Sequence, residues 1–368
     1  MDLYKKEKKT MNASSFSKER LPQIKKEYPF LELSDKFALT NALLRVDTAF
    51  QNFFDGRARY PKPAAKMKPS GCSYTTNYTN GNIKLLMEDA PYIQLPKVGK
   101  IRIVLPKGRT LEDLVPEGAV LRSATVKTDR TGFTVSILIE TVVEKPAAMK
   151  KVHASDILTA DMGLKTFATL YRTAGTEKIE NPRWIRRHAK KLRRLQKSLS
   201  RKQYDKEKHR GSKNWEKAAK KVAKEQRKCT NQRKDFHHKL SREIAKSCKV
   251  FCCEDLNIAG MKKNRHLSKE ISSVGWGNFL TMVKYKMERS GGIFFKVDRW
   301  FASSQICSQC GYRNSEVKDL SVREWTCPQC GAVHDRDENA GENMFAECIR
   351  LLEEQGIRVT GIKEKKTA

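Results

Sequence analysis

Four cysteines stand as two Cys-x2-Cys pairs, Cys307 with Cys310 and Cys327 with Cys330, separated by sixteen residues. That spacing suits one tetrahedral four-thiolate zinc site, each pair supplying two ligands from a single tight turn. Gly311 and Gly331 follow the second cysteine of each pair, where the turn closes most easily with positive φ. Four thiolates leave zinc no open position, so the expected ion is structural. His334, beside the second pair, is expected to hydrogen-bond there rather than to act as a fifth ligand. The residues suited to reaction chemistry are three carboxylates. Asp161 ends the apolar run Ile157-Leu158-Thr159-Ala160, and Glu254 ends Val250-Phe251-Cys252-Cys253. Asp337 sits in HDRDENAGENMF, just before a helical C-terminal stretch. Taken singly, they read as a turn residue, a strand-end charge and an N-cap. Brought together, they would repel one another unless cations filled the cluster, and hard oxygen ligands of this kind suit Mg²⁺.

The elements that must position these groups change in texture along the chain. Residues 1–66 read as helical and basic, with apolar residues of SDKFALTNALLRVDTAFQNFFDG at helical spacing; Ser34 is the expected N-cap and Gly56 the stop. From 67 to 150, short alternating runs split by Gly, Pro and Asn predict an antiparallel β unit, barrel or sandwich, with the barrel preferred. From 151 the runs DILTADMG, KTFATLYRT and EKIEN predict a three-strand meander. Two basic helices follow, interrupted near His209-Arg210-Gly211-Ser212, and then the strand KVFCCEDL, a helix around 276–290 and the strand GIFFKVDR. The cysteine segment occupies 303–333, and a last helix completes 334–368. The whole is an α+β multidomain chain. A meander, a helix, a parallel strand and a final acidic helix form the layout of an RNase H-like nuclease domain. In such a domain carboxylates from adjacent strands and one helix would converge on two metal ions.

Charge narrows the function. Lys and Arg number 74 against 42 Asp and Glu, a formal net charge of +32, which is expected to be neutralised by a polyanion. Residues 181–247 alone carry 25 basic against 6 acidic side chains. Arg186, Arg187, Lys190, Arg193, Arg194, Lys197 and Arg201 fall on successive helical turns there, suited to tracking phosphates. Trp184, Trp215, Trp276 and Trp300 read as packing residues before base-stacking platforms. With 39% hydrophobic residues the chain is not a disordered polyelectrolyte. The N-terminus lacks the apolar stretch of a secretory signal, and no run is long enough for a membrane span. A cytoplasmic, nucleoid-associated protein is expected, without a membrane partner. The ten cysteines are then metal ligands and small core residues rather than a disulfide framework. No P-loop predicts ATP dependence.

ADMGLKTFATL, CCEDLNIAGM, RWFASSQICSQCG, CPQCG and HDRDENAGENM, in that order, resemble the RuvC and zinc-ribbon motifs of the TnpB (OrfB) family. These are transposon-associated proteins related to the type V CRISPR effectors. The likeness is close over 155–347 and looser back to about residue 20. It implies that Asp161, Glu254 and Asp337 are catalytic and hold two Mg²⁺ ions, with Asp335 the less favoured neighbour, while one Zn²⁺ sits on the four cysteines. It further implies RNA-guided cleavage of double-stranded DNA next to a short flanking motif, with a guide from the transposon end and a monomeric protein. The regions 1–66 and 67–150 would be recognition-type and wedge-type, and 151–302 the nuclease domain. Family members usually open with a strand and helix that precede the first residue here, so a shortened start and impaired target recognition are a further expectation. Two other readings compete. A silent, guide-directed repressor would have no reason to keep three carboxylates, and a strand-transfer transposase would need a His pair and Tyr that are not recognisable here.

Overall fold

The computed structural model describes residues 12–62, 73–144, 146–205, 210–319 and 321–362. His209, named above at the helix interruption, and Cys72, one of the ten cysteines, lie outside them. Two compact units emerge: residues up to Val143 with Leu199–Ala223, and Glu144–Ser198 with the residues from Lys224 onward.

In the first unit, helices Ala13–Glu19 and Leu21–Glu27 precede the longer Lys36–Phe54. Asp35, not Ser34, caps that helix, its carboxylate accepting the Ala38 N–H at 3.2 Å. Six strands follow: β1 (Ser73–Asn77), β2 (Lys84–Met87), β3 (Pro91–Leu95), β4 (Gly99–Arg102), β5 (Val120–Asp129) and β6 (Gly132–Glu140). They form two antiparallel three-stranded sheets, β1-β5-β6 and β2-β3-β4, and among the described residues no ladder joins them. The expected closed barrel is therefore not formed. Alternation places Ile93, Leu95 and Ala124 inward on one shared core, with Tyr74, Val126 and Ile137 packed around it. Two sheets facing one core satisfy the same apolar pattern as a barrel does, so the pattern alone does not choose between them.

The second unit holds the elements that carry the carboxylates. After β7 (Lys151–His153), strands β8 (Ile157–Asp161), β9 (Thr166–Arg172) and β10 (Gly175–Glu180) form the expected antiparallel meander. The basic stretch supplies two helices, Trp184–Ser200 and Lys213–Ser247. The two-residue strands β11 (Tyr204–Asp205) and β12 (Arg210–Gly211), which belong to the first unit, pair between these helices, where the interruption was expected. Strands β13 (Val250–Glu254) and β14 (Ile293–Val297) then extend the sheet in parallel, giving the order β10-β9-β8-β13-β14. The runs Ile157–Ala160 and Val250–Cys253 are wholly buried because both faces of the sheet are covered. One face packs Leu158, Ala160, Phe251 and Cys253 under helix Trp276–Arg289, whose Trp276, Phe279, Leu280, Val283 and Met287 recur at helical spacing and are buried. The other face packs Ile157, Val250, Cys252 and Val297 against Cys348 and Leu352 of the terminal helix Arg336–Glu354. Strands β15 (Glu324–Thr326) and β16 (Val333–Asp335) pair within the cysteine segment, and β17 (Arg358–Thr360) pairs with β7. Among the described residues no helix is long and apolar enough to cross a membrane.

Candidate active site

Strand alternation decides where the first two carboxylates point. Ile157 and Val250 face the terminal helix, and positions two and four residues further along share that face. Asp161 and Glu254 are those positions. The parallel register pairs Cys253 with Ala160, so the two acids stand side by side, one residue further on, at the carboxyl ends of adjacent strands. That edge is where open α/β sheets place their ligands. Burial raises the Asp161 pKa first, and the nearby Asp337 carboxylate raises it further. Burial likewise raises Glu254, with Asp161 and Asp255 adding repulsion. Asp161 thus responds to Asp337 and Glu254 to Asp161, so the structure brings the three carboxylates to one edge.

The terminal helix delivers the third carboxylate through a division of labour in its first turns. Asp335 is the N-cap: its Oδ1 accepts the N–H groups of Asp337 at 2.8 Å and Glu338 at 3.1 Å. Asp337 is left to face the edge, with Arg323 Nη1 at 3.5 Å from its Oδ1. The buried Arg336 donates to the Asp319 carbonyl at 2.6 Å. Gly341 lets the helix descend onto β9, since a Cβ there would lie 2.7 Å from Tyr171 Cβ. Its carbonyl accepts the buried Thr159 hydroxyl of β8 at 3.1 Å, fixing the helix over the strand that bears Asp161.

Two asparagines of the same helix fasten it to the cysteine segment. Asn339 Oδ1 accepts the Ser308 N–H at 2.9 Å, and its Nδ2 donates to the Ile306 carbonyl at 2.7 Å. Asn343 Nδ2 donates to the carbonyls of Ser303 at 2.7 Å and Ile306 at 2.6 Å. The segment itself is two matching turns. Gly311 and Gly331 have φ of +79° and +70°, and each N–H returns to the carbonyl of the first cysteine of its pair at 2.9 Å. The four Sγ atoms all lie within 4.8 Å, with Cys307–Cys330 and Cys310–Cys327 both at 3.6 Å. Tetrahedral zinc with bonds of about 2.3 Å needs sulfurs roughly 3.8 Å apart, so the thiols fit such an ion. His334 Nε2 lies 3.1 Å from Cys307 Sγ, the hydrogen-bonding place expected for it. Among the described residues the four cysteines are the one group of three or more metal-ligating side chains brought so close. The three carboxylates are more widely set.

The basic helix Trp184–Ser200 is amphipathic. Arg186, Arg187, Lys190, Arg193, Arg194 and Lys197 are exposed, as is Arg201 beyond its end, whereas Leu192, Leu195 and Leu199 are half-buried. One contact was invisible in the sequence. His188 and Lys191 of this helix meet the buried Glu225 at 2.6 Å each, and His188 Nε2 also meets Gln232 Oε1 at 2.7 Å. Lys191 first, then His188, holds the Glu225 carboxyl below the usual range. The tryptophans divide: Trp276 is buried and Trp184 and Trp215 half-buried, but Trp300 is 84% exposed. A packing role holds for the first three and fails for Trp300.

Residues 137–265 match the OrfB_IS605 family, described as "Probable transposase", and residues 276–344 match the "Cas12f1-like, TNB domain" family. A Streptomyces pristinaespiralis protein, "Putative RNA-guided DNA endonuclease", is 35% identical over 87% of this chain and 73% of its own length. This chain belongs to the TnpB (OrfB) family. InsQ of Escherichia coli K12, with the same description, is 28% identical over 87% of this chain and 76% of its own. A TnpB-like protein of Acanthamoeba polyphaga mimivirus is 23% identical over 73% of this chain and 53% of its own. The fold resembles the protein in the cryo-EM structure of the Cas12f1-sgRNA-target DNA complex, with a TM-score of 0.56, 15% identity, and coverage of 94% of this chain and 77% of that one. Membership in the TnpB family agrees with the order of motifs along the sequence.

Proposed function

We propose that this chain is a transposon-encoded, RNA-guided DNA endonuclease that hydrolyses phosphodiester bonds at the edge formed by Asp161, Glu254 and Asp337. The observation that carries the reading is the placement of the half-buried Asp161 and Glu254 side by side at the ends of parallel strands, where Asp337 adds repulsion to Asp161 and Asp161 adds repulsion to Glu254. A fold gains nothing from forcing like charges together at a strand edge unless cations neutralise them. The relatives' descriptions and the likeness to a guide- and target-bound effector support the choice of RNA and DNA as partners.

The sheet order of meander plus two parallel strands supports an RNase H-like, RuvC-type assignment for the second unit. Two Mg²⁺ ions held by the three carboxylates would supply charge stabilisation to both the attacking and the leaving oxygen of an in-line displacement. The chain's own groups do the positioning. Asp255, next to Glu254, is held ionised by Lys296 and Arg299, which meet it at 2.8 Å each, and so is engaged away from the triad. The exposed cations of the basic helix would follow phosphates without reading sequence. Zinc on the four cysteines would hold the segment that Asn339 and Asn343 grip, and thereby the start of the helix carrying Asp337.

The test is to express the protein with its downstream flank, sequence the RNA that copurifies, and assay cleavage of a DNA target matching that RNA. A discrete RNA species, Mg²⁺-dependent cutting by the wild type and none by Asp161→Asn with RNA retained is the expected result. Equal cutting by Asp161→Asn would remove the assignment.

A further inference from the structure

Trp300 is 84% exposed, although an indole is among the costliest side chains to leave in water. Its surroundings hold it there. Its own N–H is accepted by the Asp298 carboxylate at 2.7 Å, and the next residue's N–H by the Asp298 carbonyl at 3.0 Å. Phe301 then packs into the core beside Val297, so the turn is anchored immediately after the tryptophan. The indole therefore projects from a braced turn rather than from a loose loop. Its place along the sheet is equally specific. Val297 pairs with Glu254, which puts Trp300 three residues past the level of the carboxylate edge on the neighbouring strand. The strand ends at Val297 and the turn follows at once, so three residues keep the Trp300 backbone within about 10 Å of Val297, the span of one or two nucleotides. Lys296 and Arg299 flank the same turn and face the carboxylate of Asp255, while Asp298 of the turn is turned onto the Trp300 backbone N–H, so two cations stand beside the indole against two carboxylates.

The geometry points to Trp300 as a base-stacking platform for single-stranded DNA entering the carboxylate edge, with Arg299 and Lys296 beside its phosphates. Any base offers a π-face, so such a platform grips without reading sequence, and an exposed, immobilised indole next to cations is the form it takes. The inference rests on the nuclease reading for its substrate, and the experiment separates the two.

Guide-loaded protein in chelator, where no cleavage occurs, is mixed with a single-stranded oligothymidine carrying one 5-iododeoxyuridine and irradiated, and the adduct is mapped by mass spectrometry. Crosslinking to Trp300 is expected, with Trp300→Ala losing that adduct and Trp300→Phe keeping one at the same position. In Mg²⁺, Trp300→Ala should raise KM for a single-stranded substrate by about 5- to 100-fold with kcat within about twofold, and Trp300→Phe should recover most of it. Because the side chain is exposed, the melting temperature and zinc content of both variants should match the wild type. Adducts confined to other residues, or an unchanged KM in Trp300→Ala, would overturn the platform. A wild type that crosslinks at Trp300 but never cuts would uphold it and defeat the nuclease reading.

Discussion

The cysteine segment and the carboxylate edge both gather like-charged ligands, and they do so by opposite means. Four thiols meet within 4.8 Å inside 24 consecutive residues, Cys307 to Cys330, each pair closed by its own backbone turn. The three carboxylates come from β8, β13 and the terminal helix, and stay more widely set, their encounter showing in the raised pKa values of Asp161 and Glu254. A local site can close around one ion and serve as a folding nucleus. A site assembled across the sheet remains open, which is what a centre that must admit a phosphodiester requires. The two are joined by Asn339 and Asn343, so the closed site positions part of the open one.

The largest expected effect follows from that join. Cys310→Ser should abolish zinc retention and unfold the segment, because apparent zinc affinities of about 10–16 kcal/mol in such modules are part of the folding free energy. Cleavage should fall with it by at least about 100-fold, since Asp337 loses its support. Metal content by mass spectrometry, thermal melting and a cleavage assay together check this. A folded, zinc-free and fully active variant would break the dependence of the open site on the closed one.

Next comes the trade between function and stability at the open site. Asp161→Asn should cost at least about 10³-fold in kcat yet raise the metal-free melting temperature, since it removes one repelling charge. The pH dependence fixes the sign. A carboxyl with a raised folded-state pKa binds its proton more tightly in the native state, so its stabilising contribution is present below the unfolded value and is lost as pH rises through the folded one. The advantage of Asp161→Asn over wild type should therefore grow from pH 4 to 7 in chelator. His237 works against this in the same window. Burial beside Phe167 and Phe279 lowers its pKa to about 4, so its contribution is present above the ordinary value of 6.5 and is lost as pH falls toward 4. Comparing the two chains at each pH cancels the histidine, and a difference that shrinks as pH rises would contradict the repulsion.

How legible each region was follows the same distinction. The cysteine spacing is local and reads directly, as does the end of an apolar run at Asp161 and Glu254. Even the shared face could be read, because two strands with acids at matching places past their buried residues must present them together if paired in parallel. Barrel closure was not legible: alternation says which side chains point inward, not whether β2 and β4 find partners among β1 and β6, and among the described residues they do not. Nor was the clasp of His188 and Lys191 on Glu225, which spans more than thirty residues between two helices. Trp300 was misread for a related reason, since burial depends on what covers a turn after folding.

The smallest effect tests neighbouring residues of one type. Asp335 and Asp337 both precede or open the terminal helix, and the sequence favoured Asp337 without supplying a physical reason. The structure supplies one: Asp335 spends its Oδ1 on two backbone N–H groups and lies 3.6 Å from Lys178, whereas Asp337 accepts no backbone cap. Asp335→Ala should therefore cost about 1 kcal/mol of stability, the usual value of an N-cap, and reduce cleavage only a few-fold through a frayed first turn. Asp335→Asn, which keeps an acceptor oxygen, should recover most of both. Asp337→Asn should leave the melting temperature near wild type and cost cleavage roughly as Asp161→Asn does. If the two positions exchange behaviour, so that Asp335→Asn abolishes cutting while Asp337→Asn spares it, the ligand and the cap have been assigned the wrong way round. The carboxylate edge would then be built one half-turn earlier in the chain.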